Sequence, residues 1–457
     1  MLVINPRDNV GVDISDGHKY ALRDIAEGEN VIKYGQPIGH ATADIKEGEH
    51  VHTHNLATNL SGKLEYAYEP TDNCIVKLDT DATFMGYVRK NGEVGIRNDV
   101  WIVNTVGCVN KIAEKIAAIT GAKFFSHPYG CSQLGGDHAT TQVILRGMVK
   151  HSNAGGVLVL GLGCENNNID AFKTVLGEYD GERVRFLNCQ DVSDEVAEGV
   201  RIVRELQEMA KKDERVPLPV SRLKVGLKCG GSDGFSGITA NPLVGRFCDR
   251  LVAYGGSCAL TEVPEMFGAE HLLMNRAESR EVFDKTVSLI NNFKEYYERH
   301  DQVIYENPSP GNKKGGITTL EEKSLGCVQK GGLSPVVDVL GYGERLVKNG
   351  LSLVNGPGND IVACTNLLAA GVHMILFTTG RGTPLGSAVP TLKIATNKSL
   401  AERKSAWIDF DASPILDGID PTDALFSLVI ETASGKRARN EENGCEEIAI
   451  FKTGVTL

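Results

Sequence analysis

The stretch GEHVHTHNL, residues 48–56, carries His50, His52 and His54 alternating with Val51 and Thr53. Side chains on a strand alternate with period two, so the three imidazoles are expected on one face. Imidazole changes charge near neutrality and ligates divalent metals, so such a face suits proton transfer or metal binding. A fourth histidine, His18, stands beside Lys19 just after a turn glycine in SDGHKYALRDI. A His–Lys neighbour pair can serve as a tuned acid and base, and the same residues also describe an exposed polar turn.

A second set of reactive side chains follows short apolar runs. SHPYGCSQLGGDH carries Cys131, Asp137 and His138; GLGCENNN carries Cys164 and Glu165; KCGGSDGFSG carries Cys229, Ser232 and Asp233. TTGRGTP carries Arg381 between two glycines. Open parallel sheets bind ligands in the loops leaving the carboxyl ends of their strands, so cysteines distant in sequence can converge there. One cysteine alone is commonly a small buried hydrophobe. Cys131, Cys164 and Cys229, each near glycine in such a loop, favour use as thiolates toward iron, zinc or an iron–sulfur cluster. No CxxC pair is present, which weakens a thiol-redox reading.

NPSPGNKKGGITTLEEKSLGC (307–327) is a basic, glycine-rich loop entering a helix. Thr318 and Glu321 have capping-box spacing, which predicts a helix start there. Lys313, Lys314 and the helix amides then form an anion site, or else a solvated lysine pair. GxxxxGK[ST] is absent, and GLGCEN lacks the third glycine of a dinucleotide fingerprint because Asn166 stands there.

The elements that must hold these residues fall into distinct regions. Residues 1–69 read as a small β-rich unit with a near-duplicate, ALRDIAEGENV (21–31) and ATADIKEGEHV (41–51), which suits a pseudo-symmetric fold. Residues 70–84 read as a linker. From residue 85 strands alternate with helices, which predicts α/β architecture with a mainly parallel sheet. The charged, proline-containing KKDERVPLP (211–219) separates a first α/β segment, 85–215, from a second, 216–457.

The chain has 457 residues and a net charge of −11, without long runs of one sign, so no nucleic-acid surface is expected. No apolar run reaches membrane-spanning length, and the N-terminus lacks the pattern of a secretory signal. Eleven cysteines in such a chain point to reduced thiols and a cytoplasmic location.

Several stretches resemble one family. GHKYALRDI, VIKYGQPIGHATADI and GEHVHTHN resemble the N-terminal module of the altronate/galactarate dehydratase family, a module similar to SAF β-clip domains. GYVRKNGEVGIRND, YGCSQLGGDH, GLGCENN, CGGSDGFSGITANP, TEVPEMFGAE, NPSPGNKKGGITTLEEKSLGC and FTTGRGTP resemble its Rossmann-like catalytic portion. The resemblance implies a sugar-acid hydro-lyase that takes the proton beside a carboxylate and eliminates the 3-hydroxyl, converting D-altronate to 2-dehydro-3-deoxy-D-gluconate. It implies a divalent metal, Fe2+ or Mn2+, with an iron–sulfur cluster as a further option. Two arrangements compete for that metal: His52 and His54 with Glu165 or Asp137, or Cys131, Cys164 and Cys229, the second being favoured. His18, His52 and His54 are then the acid/base candidates. Lys313, Lys314, Arg381, Ser232 and Asp233 are the candidates for substrate contacts. The alternatives are lyases acting on galactarate or sulfolactate, and a sugar-acid-binding protein without turnover. The expected partner is the small substrate, with homo-oligomers possible.

Overall fold

The computed structural model describes residues 1–62, 65–71 and 75–454. The N-terminal module is built from β1 (Val10–Val12), β2 (Lys19–Ala21), β3 (Asn30–Lys33), β4 (Gln36–Ala41) and β5 (Leu56–Ala57). β1 pairs antiparallel with β2, and β3, β4 and β5 form a second antiparallel sheet. The near-duplicate halves are joined as a pseudo-symmetric pair. Ile25 and Ile45 exchange both backbone hydrogen bonds, and the amides of Gly28 and Gly48 donate to Ala41 and Ala21 at 2.8 and 2.9 Å. The side chains repeat the relation: Asp44 caps the amide of Glu27 and Asp24 caps that of Glu47, both at 3.0 Å. Val31, Ile38, Ile45 and Val51 close the interior.

Residues 72–74 of the expected linker lie outside the described residues, and its last two, Thr83 and Phe84, already belong to a strand. β6 (Thr83–Val88), β7 (Val94–Gly95) and β12 (Val216–Pro219) form a small antiparallel sheet. Between them β8 (Asp99–Asn104), β9 (Lys123–Phe125), β10 (Ala154–Gly161) and β11 (Val184–Asn188) form a parallel sheet of order β11-β10-β8-β9. Every residue of β10 is buried, as expected for a parallel strand covered on both faces. Helices Asn110–Thr120 and Glu195–Ala210 cover one face. Helix Gly135–Val149 covers the other and packs on helix Asp360–Ala370 of the next region.

The third region is a seven-stranded sheet. β13 (Lys224–Cys229), β14 (Ser257–Leu260), β15 (Val336–Leu340), β16 (Gly350–Val354), β17 (Met374–Thr379), β18 (Thr391–Ala395) and β19 (Phe410–Asp411) are all parallel, in the order β15-β16-β14-β13-β17-β18-β19. The chain winds one way from β13 through β14 and the other way through β17. The switch point therefore lies at the carboxyl ends of β13 and β17, where Cys229 and Thr379 stand and where sheets of this kind bind ligands.

Candidate active site

The N-terminal module sits over that switch point. Lys19 Nζ lies 2.8 Å from Glu322 Oε2 and Lys33 Nζ 2.8 Å from Glu322 Oε1, with all three side chains buried. Burial alone would raise the Glu322 carboxyl, but the two ammonium groups outweigh it and hold it at about 2. Burial lowers Lys19 to about 8 against the pull of Glu322. Thr58 and the amide of Asn59 hold Glu321, and Thr319 donates to the Ile38 carbonyl at 2.5 Å. Helix Leu320–Cys327 consequently starts one residue later than its capping-box spacing predicts. Thr319 is the N-cap and accepts from the Glu322 amide, because Glu321 is drawn off to the module. The amide of Thr318 also donates to Glu322 at 2.8 Å, so the chain's own carboxylate occupies the anion site expected at this helix start.

Glycines let the two backbones touch. A Cβ on Gly234 would lie 1.9 Å from the Gly17 carbonyl oxygen, and one on Gly237 would lie 2.4 Å from Tyr34 Oη. That approach delivers His18. Its Nδ1 lies 3.0 Å from His50 Nε2, and the His50 ring stacks on His52 with centroids 5.4 Å apart. His54 lies 5.7 Å from His50, ring to ring. The three histidines of GEHVHTHNL do come together, but not as one face of a strand. Only His50 makes a β-bridge, to Tyr20; residues 52–55 form a turn closed by the Asn55 amide on the His52 carbonyl at 3.0 Å, and the turn after Gly17 adds the fourth histidine. Burial and the charges of His18, His52 and His54 depress His50 to about 4, and burial lowers His52. His52 Nε2 lies 2.8 Å from the backbone oxygen of Lys313. Lys313 is half-buried and Lys314 exposed, both in the short helix Pro310–Lys314. Arg381, leaving β17, reaches the same helix, with one guanidinium nitrogen 3.3 Å from the Gly311 oxygen.

Ser232 and Asp233 support this arrangement from below. The Ser232 carbonyl accepts from Asn312 at 2.8 Å. Asp233 is buried, and Thr396, Asn397, Ser236 and the Phe235 amide all donate to its carboxylate. Burial raises its pKa against those bonds. Its oxygens fix the loop.

Beneath the histidines lies a buried polar cluster that the sequence announced only through Cys229. Cys229 Sγ is 3.4 Å from Cys327 Sγ, 3.0 Å from Glu265 Oε2 and 2.9 Å from Lys330 Nζ. Lys323 Nζ lies 2.8 Å from Glu265 Oε1, and Lys228 Nζ lies 2.5 Å from Glu262 Oε1 and 2.7 Å from Asp360. The hydrogen bond from Cys327 draws Cys229 down to about 7 against burial, helped by Lys330 and Lys228. The same contact and burial push Cys327 well up. Burial would raise Glu265, but Lys323, Lys330 and Lys228 bring it to about 2. Glu262 holds its place with a left-handed backbone, φ 73°, a strained conformation for a non-glycine residue that is characteristic of functional sites.

Cys229, Glu265 and Cys327 present three donor atoms within 4.8 Å of one another, the only such group of histidine, cysteine and carboxylate donors among the described residues. Two sulfurs and a carboxylate suit iron better than manganese. Lys330 competes with a cation for the Cys229 thiolate. Cys131 and Cys164 do not join this group: both are exposed in loops at the carboxyl end of the four-stranded sheet, whereas Cys229 belongs to the other sheet. The carboxylates weighed as partners for His52 and His54 are engaged elsewhere. Glu165 accepts from Thr105 and the amides of Leu162 and Gly163, and Asp137 accepts from Thr453 and the amide of Gly454. TEVPEMFGAE and TTLEEKSLGC stand among the stretches that carry the resemblance, but nothing in their spacing pairs Glu265, Cys327 or the lysines with Cys229, so sequence reading missed them as a group.

Comparison with known proteins decides the family. The model for D-galactarate/altronate dehydratase, C-terminal, matches residues 220–456, more than half the chain. The second-domain model of D-galactarate dehydratase/altronate hydrolase matches 86–211, and the altronate/galactarate dehydratase SAF domain matches 7–59. The chain belongs to the altronate/galactarate dehydratase family. It is by that membership a carbon–oxygen hydro-lyase with an N-terminal SAF domain. Altronate dehydratase of Escherichia coli is 54% identical over 97% of this chain and 93% of its own length; that of Bacillus subtilis is 55% identical with the same coverage. The beta subunit of (2R)-sulfolactate sulfo-lyase from Chromohalobacter salexigens is 31% identical over 81% of this chain and 97% of its own. Among the described residues no helix is long and apolar enough to cross a membrane.

Proposed function

We propose that this chain removes water from D-altronate to give 2-dehydro-3-deoxy-D-gluconate. The identity to two altronate dehydratases along nearly the whole chain supports the substrate. The observation that carries the site is the meeting of four histidines with the Lys313 carbonyl over the switch point of the large sheet.

Taking the proton beside a carboxylate leaves a doubly charged enediolate, which needs fixed positive charge to form. Lys313, Lys314 and Arg381 supply it on the exposed side. His18, His52 and His54 are the acid and base, one taking the α-proton and one returning a proton to the departing 3-hydroxyl. His50, held neutral at pH 7, shares one proton with His18 and sets its ring orientation. Ser232 and Asp233 hold the loop that presents these groups. Cys229, with Glu265 and Cys327, would hold a divalent iron, whose charge would stabilise the enediolate when bound. Cys131 and Cys164 are left without a part in this reading. Residues 1–69, 85–215 and 216–457 are read as the three units, and unpaired cysteines support a cytoplasmic enzyme.

The test is anaerobic purification with metal analysis, followed by a keto-acid assay on D-altronate, galactarate and (2R)-sulfolactate. Preferred turnover of D-altronate, lost on chelation and restored by Fe2+, is expected. Preference for another acid would overturn the substrate, and full turnover by metal-free protein would overturn the metal.

A further inference from the structure

A cavity of about 590 Å³ opens between the module and the last strands of the large sheet, beside His18. Ser15 and Asp16 line it from the module; Arg381, Asn397, Arg403 and Asp417 line it from the catalytic region. It reaches the histidines through the turn that carries His18. Asp16 Oδ1 accepts from the His18 amide at 2.8 Å, and Phe235, on the cavity wall, lies against Gly17. Arg381 joins the two places, reaching Gly311 with its guanidinium while lining the cavity.

The lining suits a polyhydroxylated chain. It mixes carboxylates, two guanidinium groups, an ammonium, an amide and hydroxyls with apolar surface from Ile14, Phe235 and Leu416, against which a sugar's C–H groups can lie. Arg403 has no hydrogen-bond or ion-pair partner among the described residues, and neither has Asp417, although both are charged and face the same space. Lys398, also on the wall, is turned toward Glu402 at 3.8 Å. Arg403 and Asp417 are thus a free donor and a free acceptor. A row of vicinal hydroxyls, each donor and acceptor at once, satisfies both. A terminal carboxylate would meet Asp417 as a like charge.

We propose that this cavity binds the hydroxylated tail of the sugar acid, the carbons beyond the reacting pair, with Arg403 and Asp417 as specificity-determining residues. The inference rests on the dehydratase reading above. It assigns Arg381 to the boundary between the reacting end and the tail, and it makes substrate length and the neutrality of the far end the properties that the cavity reads.

The test uses the full-length enzyme and the variants Arg403→Gln and Asp417→Asn, with melting temperature as the check on folding. kcat/KM for D-altronate is expected to fall at least tenfold in each. The inhibition constant of D-glycerate, a three-carbon acid without a tail, is expected to stay within twofold of wild type. Asp417→Asn should also raise kcat/KM for galactarate relative to D-altronate, because the like charge is gone. If both variants turn over D-altronate as wild type does, or lose D-glycerate affinity in equal measure, the tail site is overturned. If wild-type enzyme fails on every six-carbon acid, the dehydratase reading falls instead. Calorimetry with D-altronate then decides the cavity: binding weakened in both variants supports it, and unchanged binding rejects it.

Discussion

Lys19 of the N-terminal module and Glu322 of the catalytic region meet at 2.8 Å, each side chain only 1% exposed. With Lys33 on the other carboxylate oxygen, one buried carboxylate serves two ammonium groups from a single module. This contact joins those of Thr58 and Asn59 with Glu321 and of Thr319 with Ile38 in holding the module, and with it the histidines, against the catalytic region.

Replacing Glu322 by Gln strands two buried lysines. Breaking a buried ion pair from one side costs about 3–5 kcal/mol. Glu322→Gln should therefore lower the denaturation midpoint and reduce turnover, although no reacting group is altered. Chemical denaturation and the keto-acid assay check both. A variant of wild-type stability would show that the triad does not hold the module down.

Acid should unfold the protein in two steps whose sign follows from the shifts. His50 is depressed to about 4, so between pH 6.5 and 4 the unfolded chain binds more protons and stability falls with pH. Glu265 and Glu322, both near 2, contribute stability above pH 4.5 that is lost as pH falls toward 2. Urea midpoints from pH 7 to 3 should decline throughout, and His50→Gln should flatten the upper part of the curve. An unchanged slope in that variant would refute the assignment.

Tyr34 enters a gap left by two glycines, Gly237 and Gly326. Gly237→Ala places a methyl where Tyr34 Oη now stands, an overpacking expected to cost about 1–3 kcal/mol. Combining it with Tyr34→Ala should restore part of the loss, because the clash is removed. A double variant no more stable than Gly237→Ala alone would show that the clash lies elsewhere.

Loss of an acid or base costs about 10²–10⁴ in rate. His52→Ala should lower kcat on that scale, while the half-buried position of the ring keeps the melting temperature near wild type. A comparable activity in His52→Ala would remove it from the proton-transfer step.

Lys330 helps to keep the Cys229 thiol near 7. Lys330→Met should raise that pKa, visible as a later rise of thiolate absorbance near 240 nm during a pH titration, and should tighten Fe2+ binding by removing a competing ammonium. Cys229→Ser should abolish both signals. Iron binding unaltered in Cys229→Ser would place the metal at another site.

Much of this was legible in the sequence because its carriers are local. The crowding of His50, His52 and His54 marked the site, although a turn over residues 52–55 and not a strand face gathers them, and the duplicated D-I-x-E-G units announced a paired module. Alternating strands and helices announced parallel sheets. What stayed hidden depends on strand order. Cys131 and Cys164 stand in loops after strands of one sheet and Cys229 ends a strand of another, and loop chemistry does not say which. Cys327 and Glu265 come together with Cys229 only because helix Leu320–Cys327 and the turn after β14 close over β13. The capping-box spacing erred for a tertiary reason, since Glu321 answers to Thr58 and Asn59 rather than to its own helix.

The doubled module has a consequence of its own. In the pairing, Asn30 stands opposite His40 in one half, and His50 stands opposite Tyr20 in the other. Closure of the module rests on backbone bonds and aspartate caps that both halves repeat, so neither half needs particular side chains at the facing positions. One copy could therefore remain plain scaffold while the other accumulated imidazoles. Such a division of labour would let reactive residues change by single substitutions without endangering the fold that carries them.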